Sequence, residues 1–362
     1  GRDILILSIV FLVSSLAIEL ITPIWPIYIK NSLGSSMTEL GFLFSISYAV
    51  AAVMQILSGF LSDKYGRKRL HVLGTLLAAF PPLMYALANN LSDLVPWVML
   101  SGLAMGLYVP IRWTIVADVS SAKTMASAYS LTNISWLIGS TVAPFVGGIV
   151  ADLYGIRFPF FACFILRFAV VPIALLIQET KKKTQVKAME YKNDEAGVIR
   201  TYYVPTVALF SLINVLQGIG IGVTGPVIGI FVTSNFQVDY TFVGILYAIG
   251  FGAASIVAQI PGSKCSDLFD RRKVMFVTFL ASSPFFFLFA YSRSLLELIL
   301  FMFVSNAILN LSWSAFQTLI MDATPSSKWG FVNGISATTF WIGLLVGNAL
   351  SGVLWDNLGT FV

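Results

Sequence analysis

Long apolar runs separated by short polar connectors fill most of this chain, and they restrict its fold more than any other feature. A helix that crosses a bilayer needs about 20 mostly apolar residues, because each residue adds about 1.5 Å along the axis. Only 11% of the residues are charged, whereas a soluble protein has about a quarter. The pattern predicts an all-α polytopic membrane protein embedded in a lipid bilayer. Eleven runs are long enough, near 4–29, 38–62, 70–88, 93–117, 125–150, 158–178, 202–232, 240–261, 273–291, 295–320 and 329–352.

One connector is much longer and more polar than the others, and it divides the chain. We predict an amino-terminal bundle of six spans over residues 1–178, a linker over 179–200, and a carboxy-terminal bundle over 201–362 in which five spans are seen. Most of the 22 Lys and Arg residues lie in the linker or in loops after even-numbered spans. Because cytoplasmic loops carry the excess of basic residues, we predict a multi-pass cell-membrane protein with a cytoplasmic N-terminus.

The two bundles repeat one another in sequence. Transporters are often built from such parallel repeats. By the same offset, the counterpart of the sixth span would begin at the end of the chain, so we expect a twelfth span in the full protein, with a natural eleven-span protein as the alternative. A shift of 204 residues aligns Asp63 with Asp267, Arg67 with Arg271, Asp118 with Asp322, Gly139 with Gly343, Asp152 with Asp356 and Gly155 with Gly359.

The loop after the second span reads GFLSDKYGRKR from Gly59 to Arg69, and residues 262–273 form a degraded copy with Asp270 in place of the second glycine. This loop resembles the one between helices 2 and 3 of the major facilitator superfamily. The resemblance implies two pseudo-symmetric six-helix bundles and a latch between them that stabilises the outward-facing state. The alternative is that these residues only anchor the protein at the membrane surface. The expected latch residues are Gly59, Asp63, Arg67, Asp118, Asp267, Arg271 and Asp322.

Small residues recur in the fifth span as Gly139, Pro144, Gly147 and Gly148. They resemble the antiporter signature in helix 5 of the same family, with Ala143 in place of one glycine. Small side chains permit close helix contact, and a proline frees a backbone carbonyl. Generic helix packing explains the pattern nearly as well. The arginine that the family carries in the middle of helix 4 is absent from the aligned stretch near Gly102.

Ionisable side chains at membrane depth are functional candidates by default. Glu19 lies near the middle of the first span, where a carboxyl is suited to taking up and releasing a proton, and a structural carboxyl is the alternative. Arg167, midway along the sixth span, has either a packing role or a role in anion recognition. Arg112 belongs either to the latch or to the inner mouth of the cavity. We expect His71, the only histidine, in a surface loop.

The resemblance also implies that the first, fourth, seventh and tenth helices line a central cavity. Polar and aromatic residues there are candidates for substrate contact, although some of them would only tie helices together. Pro23, Pro26 and Pro226 predict bends in the first and seventh spans. The candidates are Trp25, Tyr28, Tyr108, Arg112, Asn133, Trp136, Asn214, Gln217, Asn310 and Trp313, which Tyr48, Gln55 and Tyr247 of the second and eighth spans could join.

No enzymatic chemistry emerges from the sequence. A phosphate-binding loop is missing, and two cysteines and one histidine are too few for a metal centre. We therefore predict a monomeric secondary active transporter without cofactor or nucleic-acid partner, which exports an amphipathic or cationic small molecule with the proton as coupling ion. The alternatives are a symporter or uniporter for a sugar or an organic anion, a lipid flippase, and a receptor that has the same fold without transport.

Overall fold

The computed structural model describes residues 2–120, 124–180, 199–313, 315–316, 319 and 329–359. Within these ranges the regular structure is entirely helical. We number the helices in the order of the predicted spans: α1 (Arg2–Glu19, Trp25–Ile27 and Tyr28–Ser32), α2 (Met37–Tyr65), α3 (Arg67–Leu77 and Phe80–Leu87), α4 (Leu91–Val119), α5 (Met125–Tyr154), α6 (Phe158–Leu175), α7 (Ile199–Phe236), α8 (Tyr240–Tyr247, Ala248–Ala253 and Ala254–Leu268), α9 (Arg271–Ala290), α10 (Leu295–Leu311) and α11 (Trp329–Leu358).

The all-α membrane class predicted from the sequence is confirmed. In the described part of the chain, 9 helices are long and apolar enough to cross a bilayer, namely α2 to α9 and α11. The first segment of α1 carries three charged residues, and α10 has 17 residues, so these two predicted spans fall short of the same standard. The twelfth span and the domain boundaries stay predictions.

Local hydrogen bonds begin several helices at the positions where the short connectors end. Ser36 and Glu39 form a capping box at the start of α2, and Asn90 and Asp93 form another at the start of α4. Each box satisfies backbone N–H groups that have no partner inside the helix. Gly66 connects α2 to α3 with a φ of 99°, a conformation that glycine adopts without the strain a side chain would add.

The predicted bends are found in α1 but not in α7. Helix α1 is interrupted after Glu19, resumes at Trp25, and ends in a π-helical turn over Tyr28–Ser32. The prediction is wrong for α7, which runs without a break from Ile199 to Phe236 through Pro226. Gly218 and Gly222 of α7 serve contact with another helix, and the helix is continuous through all its glycines.

Helices α7 and α11 pack through glycines on both sides. A side-chain carbon added to Gly218 would lie 2.9 Å from the Cα atom of Gly343, and one added to Gly222 would lie 2.9 Å from the Cα atom of Gly347. At these two glycines there is room for a hydrogen atom but not for a side-chain carbon. Small residues allow two backbones to approach in this way, and such packing holds helices together in a bilayer.

The bundle has two ends, which we call the amino-terminal face, where α1 begins at Arg2, and the distal face, where α2 begins at Met37. At the distal face the two halves touch along α2 with α11 and along α5 with α8. Gly41 of α2 packs against the backbone of Asn348, and Gly244 of α8 packs against the backbone of Pro144. The halves are therefore closely packed at the distal face.

The amino-terminal face differs, because the motif loop is not covered there. No described atom lies within 4 Å of the position that a side chain on Gly59 would occupy. The neighbouring Phe60 is 75% exposed. Among the described residues, the motif loop is therefore open at Gly59 and Phe60.

Candidate functional site

Glu19 lies where the two halves of the molecule meet. It ends the first segment of α1, immediately before the irregular stretch over residues 20–24. Its carboxyl group is within electrostatic range of two tyrosine hydroxyl groups, those of Tyr48 on α2 and Tyr247 on α8. Because α2 and α8 belong to different halves, this one carboxyl group is coupled to both.

Aromatic side chains continue this site across the interface. The ring of Tyr48 stacks on that of Trp341 of α11, with centroids 5.6 Å apart and planes 17° apart. Trp341 Nε1 donates a hydrogen bond to Gln55 Oε1. Tyr247 Oη donates to the carbonyl of Gly225 on α7, at 3.4 Å. We call Glu19, Tyr48, Gln55, Tyr247 and Trp341 the interface cluster.

The interface cluster combines one ionisable group with aromatic and amide groups. A carboxylate with aromatic faces nearby is suited to binding an organic cation, since ring faces attract positive charge. A carboxyl group at membrane depth is also suited to binding a proton. Tyr48, Gln55 and Tyr247 are secondary candidates from the sequence. Trp341 was not predicted, because a tryptophan inside an apolar run has no sequence feature that marks it as a site residue.

Trp25 and Tyr28 lie elsewhere, in the core of the amino-terminal half near the distal face. Tyr28 is fully buried, and its hydroxyl group donates to the carbonyl of Tyr85 at 2.9 Å. Trp25 stacks on the ring of Tyr85 with centroids 4.3 Å apart. These contacts attach the interrupted end of α1 to α3, so the structure does not bring Trp25 and Tyr28 into the interface cluster.

Tyr108, Arg112 and Trp136 form a second group inside the amino-terminal half. The guanidinium carbon of Arg112 lies 4.7 Å from the centre of the Trp136 ring. His71 belongs to the same group, and its predicted position in a surface loop is wrong. Its side chain is only 1% exposed, because α3 already begins at Arg67 and has entered the bundle one turn later.

The remaining substrate candidates are spread over the other helices. Asn214 Nδ2 donates to Ser336 Oγ at 2.7 Å and so ties α7 to α11. Asn310 Nδ2 donates to the carbonyl of Asn306 within α10, at 2.8 Å. Trp313 is 54% exposed. Asn133 and Gln217 are half-buried on α5 and α7.

Two of the expected latch residues, Arg67 and Asp118, form an ion pair within the amino-terminal half. Arg67 Nη1 contacts Asp118 Oδ2, which also accepts a hydrogen bond from Thr180 Oγ1 at 2.7 Å. Glu179 Oε1 accepts from the backbone N–H of Arg67 at 2.9 Å and so caps the start of α3. These contacts join α3, α4 and the end of α6 into one unit.

The other expected latch residues that the structure describes lie at the ends of α2 and α8 or at the start of α9. Asp63 and Asp267 are exposed at the ends of α2 and α8. Arg271 Nε donates to the carbonyl of Ser266, at 3.3 Å. Asp322 lies outside the described residues. The contact between halves that the resemblance implies for this loop stays a prediction.

The glycines of the helix-5 motif face helices of both halves. A side-chain carbon on Gly139 would lie 2.6 Å from Ser15 Cβ of α1, and one on Gly148 would lie 2.8 Å from Thr241 Cα of α8. Gly147 packs against the backbone of Leu20, and the carbonyl of Pro144 faces Gly244. The motif therefore holds α5 between α1 and α8.

Two aspartates hold the two halves together at the distal face. The repeat aligned them in the sequence, but the sequence predicted no role for them. Asp356, at the end of α11, accepts hydrogen bonds from the backbone N–H groups of Met37 at 3.3 Å and Thr38 at 2.8 Å. Asp152, at the end of α5, accepts from those of Tyr240 at 3.1 Å and Thr241 at 2.7 Å. Each carboxylate caps the first turn of a helix in the opposite half, where negative charge is stabilising.

Replacing both Asp152 and Asp356 with Asn is expected to weaken closure of the distal face. Each exposed carboxylate contributes about 0.3–1 kcal/mol to the closed state, and each 1.4 kcal/mol changes a two-state population about tenfold. We expect a longer component in the distance between spin labels at positions 89 and 293, in a protein without its native cysteines. Asp93→Asn is the matched control, because Asp93 caps its own helix within one half. Unchanged distances in the double variant would contradict a fastening role.

Comparison with known proteins gives a consistent result along the whole chain. The sequence profile of the Major Facilitator Superfamily matches residues 7–208 and 210–361. An uncharacterized MFS-type transporter of Methanocaldococcus jannaschii is 24% identical over 99% of this chain and 92% of its own length. The multi-drug resistance efflux pump PmrA of Streptococcus pneumoniae is 24% identical over 95% of this chain and 86% of its own length. The crystal structure of a D-xylose-proton symporter superimposes with a TM-score of 0.78 at 14% identity, covering 98% of this chain and 91% of that one.

Proposed function

The chain belongs to the major facilitator superfamily, and from this premise we propose that it exports an amphipathic or cationic compound across the cell membrane in exchange for protons. It is a multi-pass membrane protein of a family of transporters. The observation that carries the proposal is the position of Glu19, between tyrosines of opposite halves. A carboxyl group at the interface can be exposed alternately to the two sides when the halves rock.

The orientation follows from the basic residues. The amino-terminal face carries the motif loop with its Lys and Arg cluster, so we assign it to the cytoplasm. The distal face is then extracellular. Because the halves pack closely at the distal face, we assign this arrangement to the inward-facing step of the proposed cycle, in which a solute enters from the cytoplasm.

In the proposed exchange, the carboxyl group of Glu19 binds either the proton or the cationic solute. Thr22 lies beside the Glu19 carboxyl group, and its hydroxyl group already donates to the carbonyl of Ile18 at 3.0 Å, so its oxygen is left to accept. A protonated Glu19 can donate to that lone pair. A cationic solute instead requires the ionised carboxylate, so binding of the solute releases the proton and binding of the proton releases the solute. Exchange of one proton for one monovalent cation leaves the charge of the site unchanged.

The aromatic members of the interface cluster favour a solute with a flat or apolar body. The stacked rings of Tyr48 and Trp341 offer an apolar surface, and Gln55 supplies the only amide group among the cluster residues. The name of the pneumococcal relative, a multi-drug resistance efflux pump, supports export as the direction of transport.

The test is proton movement in vesicles that contain the full-length protein at a fixed membrane potential. Amphipathic cations, sugars and organic anions are added in turn on one side. We expect cations to drive protons in the opposite direction, with no response in vesicles that lack the protein. Solute flux without proton movement would overturn proton coupling and favour a uniporter. Binding without flux would favour a receptor with the same fold.

A further inference from the structure

A small chamber lies inside the amino-terminal half, apart from the interface cluster. It is enclosed by α1, α3, α4 and α6, and it leaves room for about one water-sized particle. Most of its lining is polar or cationic, although the helices around it are apolar. The polar and cationic lining residues are Ser14, His71, Thr75, Tyr108, Arg112 and Arg167.

Two positive charges face this space. Arginine keeps its charge in proteins, so Arg112 and Arg167 are both cations, and the two guanidinium groups are within electrostatic range of one another. In the described part of the chain, no Asp or Glu lines the chamber. The nearest carboxylate along α4 is that of Asp118, six residues away, which pairs with Arg67. The chamber therefore has an excess of positive charge.

Several hydrogen-bonding atoms around the chamber also lack a partner. Arg112 Nε, Arg167 Nε and both ring nitrogens of His71 are buried without a hydrogen-bond partner among the described residues. Arg112 is 8% exposed and His71 is 1% exposed. Buried donors of this kind normally have a partner, because an unpaired charged donor destabilises the fold by several kcal/mol.

Neighbouring aromatic rings stabilise only part of this charge. The guanidinium carbon of Arg112 lies 4.4 Å from the centre of the Phe11 ring and 4.7 Å from that of Trp136. Such contacts stabilise a desolvated cation by about 2 kcal/mol. They give no acceptor to Arg112 Nε, and Arg167 lies instead beside the Tyr108 hydroxyl and the Cys163 thiol. A neutral water would accept hydrogen bonds without balancing the charge.

We propose that this chamber binds a small anionic group, no larger than a halide ion or a carboxylate, between Arg112 and Arg167. The group balances the two guanidinium charges and accepts hydrogen bonds from the donors that lack partners. It holds α1, α3, α4 and α6 together inside the amino-terminal half. The source of the group is either a free inorganic anion or a small free carboxylate such as acetate.

The first test measures thermal unfolding of the purified full-length protein when gluconate is replaced by about 0.1 M chloride at constant ionic strength. Gluconate is too large for the chamber. We expect chloride to raise the midpoint by about 2–4 °C, because a ligand that binds only the folded state stabilises it. Equal midpoints in gluconate, chloride and acetate would overturn the proposal. Acetate in place of chloride identifies the source: stabilisation by chloride alone indicates an inorganic ion, and stabilisation by acetate alone indicates a small carboxylate.

Substitutions of the two arginines test whether the anion acts in the chamber. We expect Arg112→Gln and Arg167→Gln each to abolish the dependence on chloride or acetate, whereas Arg293→Gln, which removes an exposed arginine on the distal face, should keep it. Retention of the dependence in both chamber variants would overturn the proposal. If those variants do not fold, a bromide soak of wild-type crystals decides the question. An anomalous peak in the chamber supports it, and the absence of both that peak and carboxylate density after an acetate soak overturns it. None of these results depends on proton coupling by Glu19.

Discussion

Replacing Glu19 with Gln is expected to abolish proton movement driven by the solute while the protein remains folded. Gln has the same shape and can still bond with Thr22, but it cannot release or bind a proton near neutral pH. If Glu19 carries the proton, the signal in vesicles should fall to the level seen without the protein. Binding of a cationic solute should also weaken at least about tenfold, since the carboxylate that attracts it is gone.

The matched control for this experiment is Glu39→Gln. Glu39 is also a carboxyl group of the amino-terminal half, but it belongs to the capping box at the start of α2 and is exposed at the distal face. We expect proton movement in this variant to stay near the wild-type level. Wild-type coupling in Glu19→Gln would contradict the proposed role and would leave Glu19 as a packing or binding residue.

Replacing Gly222 with Leu is expected to separate α7 from α11 and to prevent stable folding. A side-chain carbon at this position would lie 2.8 Å from the carbonyl oxygen of Leu344 and 2.9 Å from the Cα atom of Gly347. These are backbone atoms, which cannot move aside as a flexible side chain would. Overpacking in a well-packed core destabilises by about 1–3 kcal/mol, and a clash with a rigid backbone exceeds that range.

Gly220 provides a control two residues away in the same helix. No described atom lies within 4 Å of the position that its side chain would occupy, so Gly220→Leu adds an apolar side chain without a clash. We expect Gly220→Leu to give wild-type yield of monodisperse protein and a wild-type unfolding midpoint in detergent. Equal loss in both variants would show that the effect comes from helix flexibility and not from the contact with α11.

The helices themselves follow from the sequence with little ambiguity. An apolar run of about 20 residues has to satisfy its backbone hydrogen bonds internally in a bilayer, so hydropathy predicts a helix whatever the rest of the chain does. The repeat was equally visible, since a single offset aligned Asp152 with Asp356 along with the motif loops. The bend of α1 at its prolines was predicted correctly, whereas that of α7 at Pro226 was not.

The candidate site was only partly visible in the sequence. Glu19 was singled out because an ionisable residue inside an apolar run is rare. Trp341 was missed because an indole in such a run has no distinguishing spacing. Trp25 and Tyr28 were expected in the cavity, yet they pack on Tyr85 and Phe160 inside the amino-terminal half, where aromatic side chains fill space between α1, α3 and α6. Burial of that kind depends on neighbours that are far away in sequence.

The sequence by itself determined the membrane class, the order of the helices, the internal repeat and the presence of a carboxyl group at membrane depth. These are properties of single segments, each set by local hydropathy and backbone hydrogen bonding. Only the tertiary structure decided which helices meet, that Asp152 and Asp356 cap helices of the opposite half, and that Arg112 and Arg167 share one chamber. The physical reason is that contacts between helices depend on the fit of small residues and polar groups on several segments at once, which no single segment records.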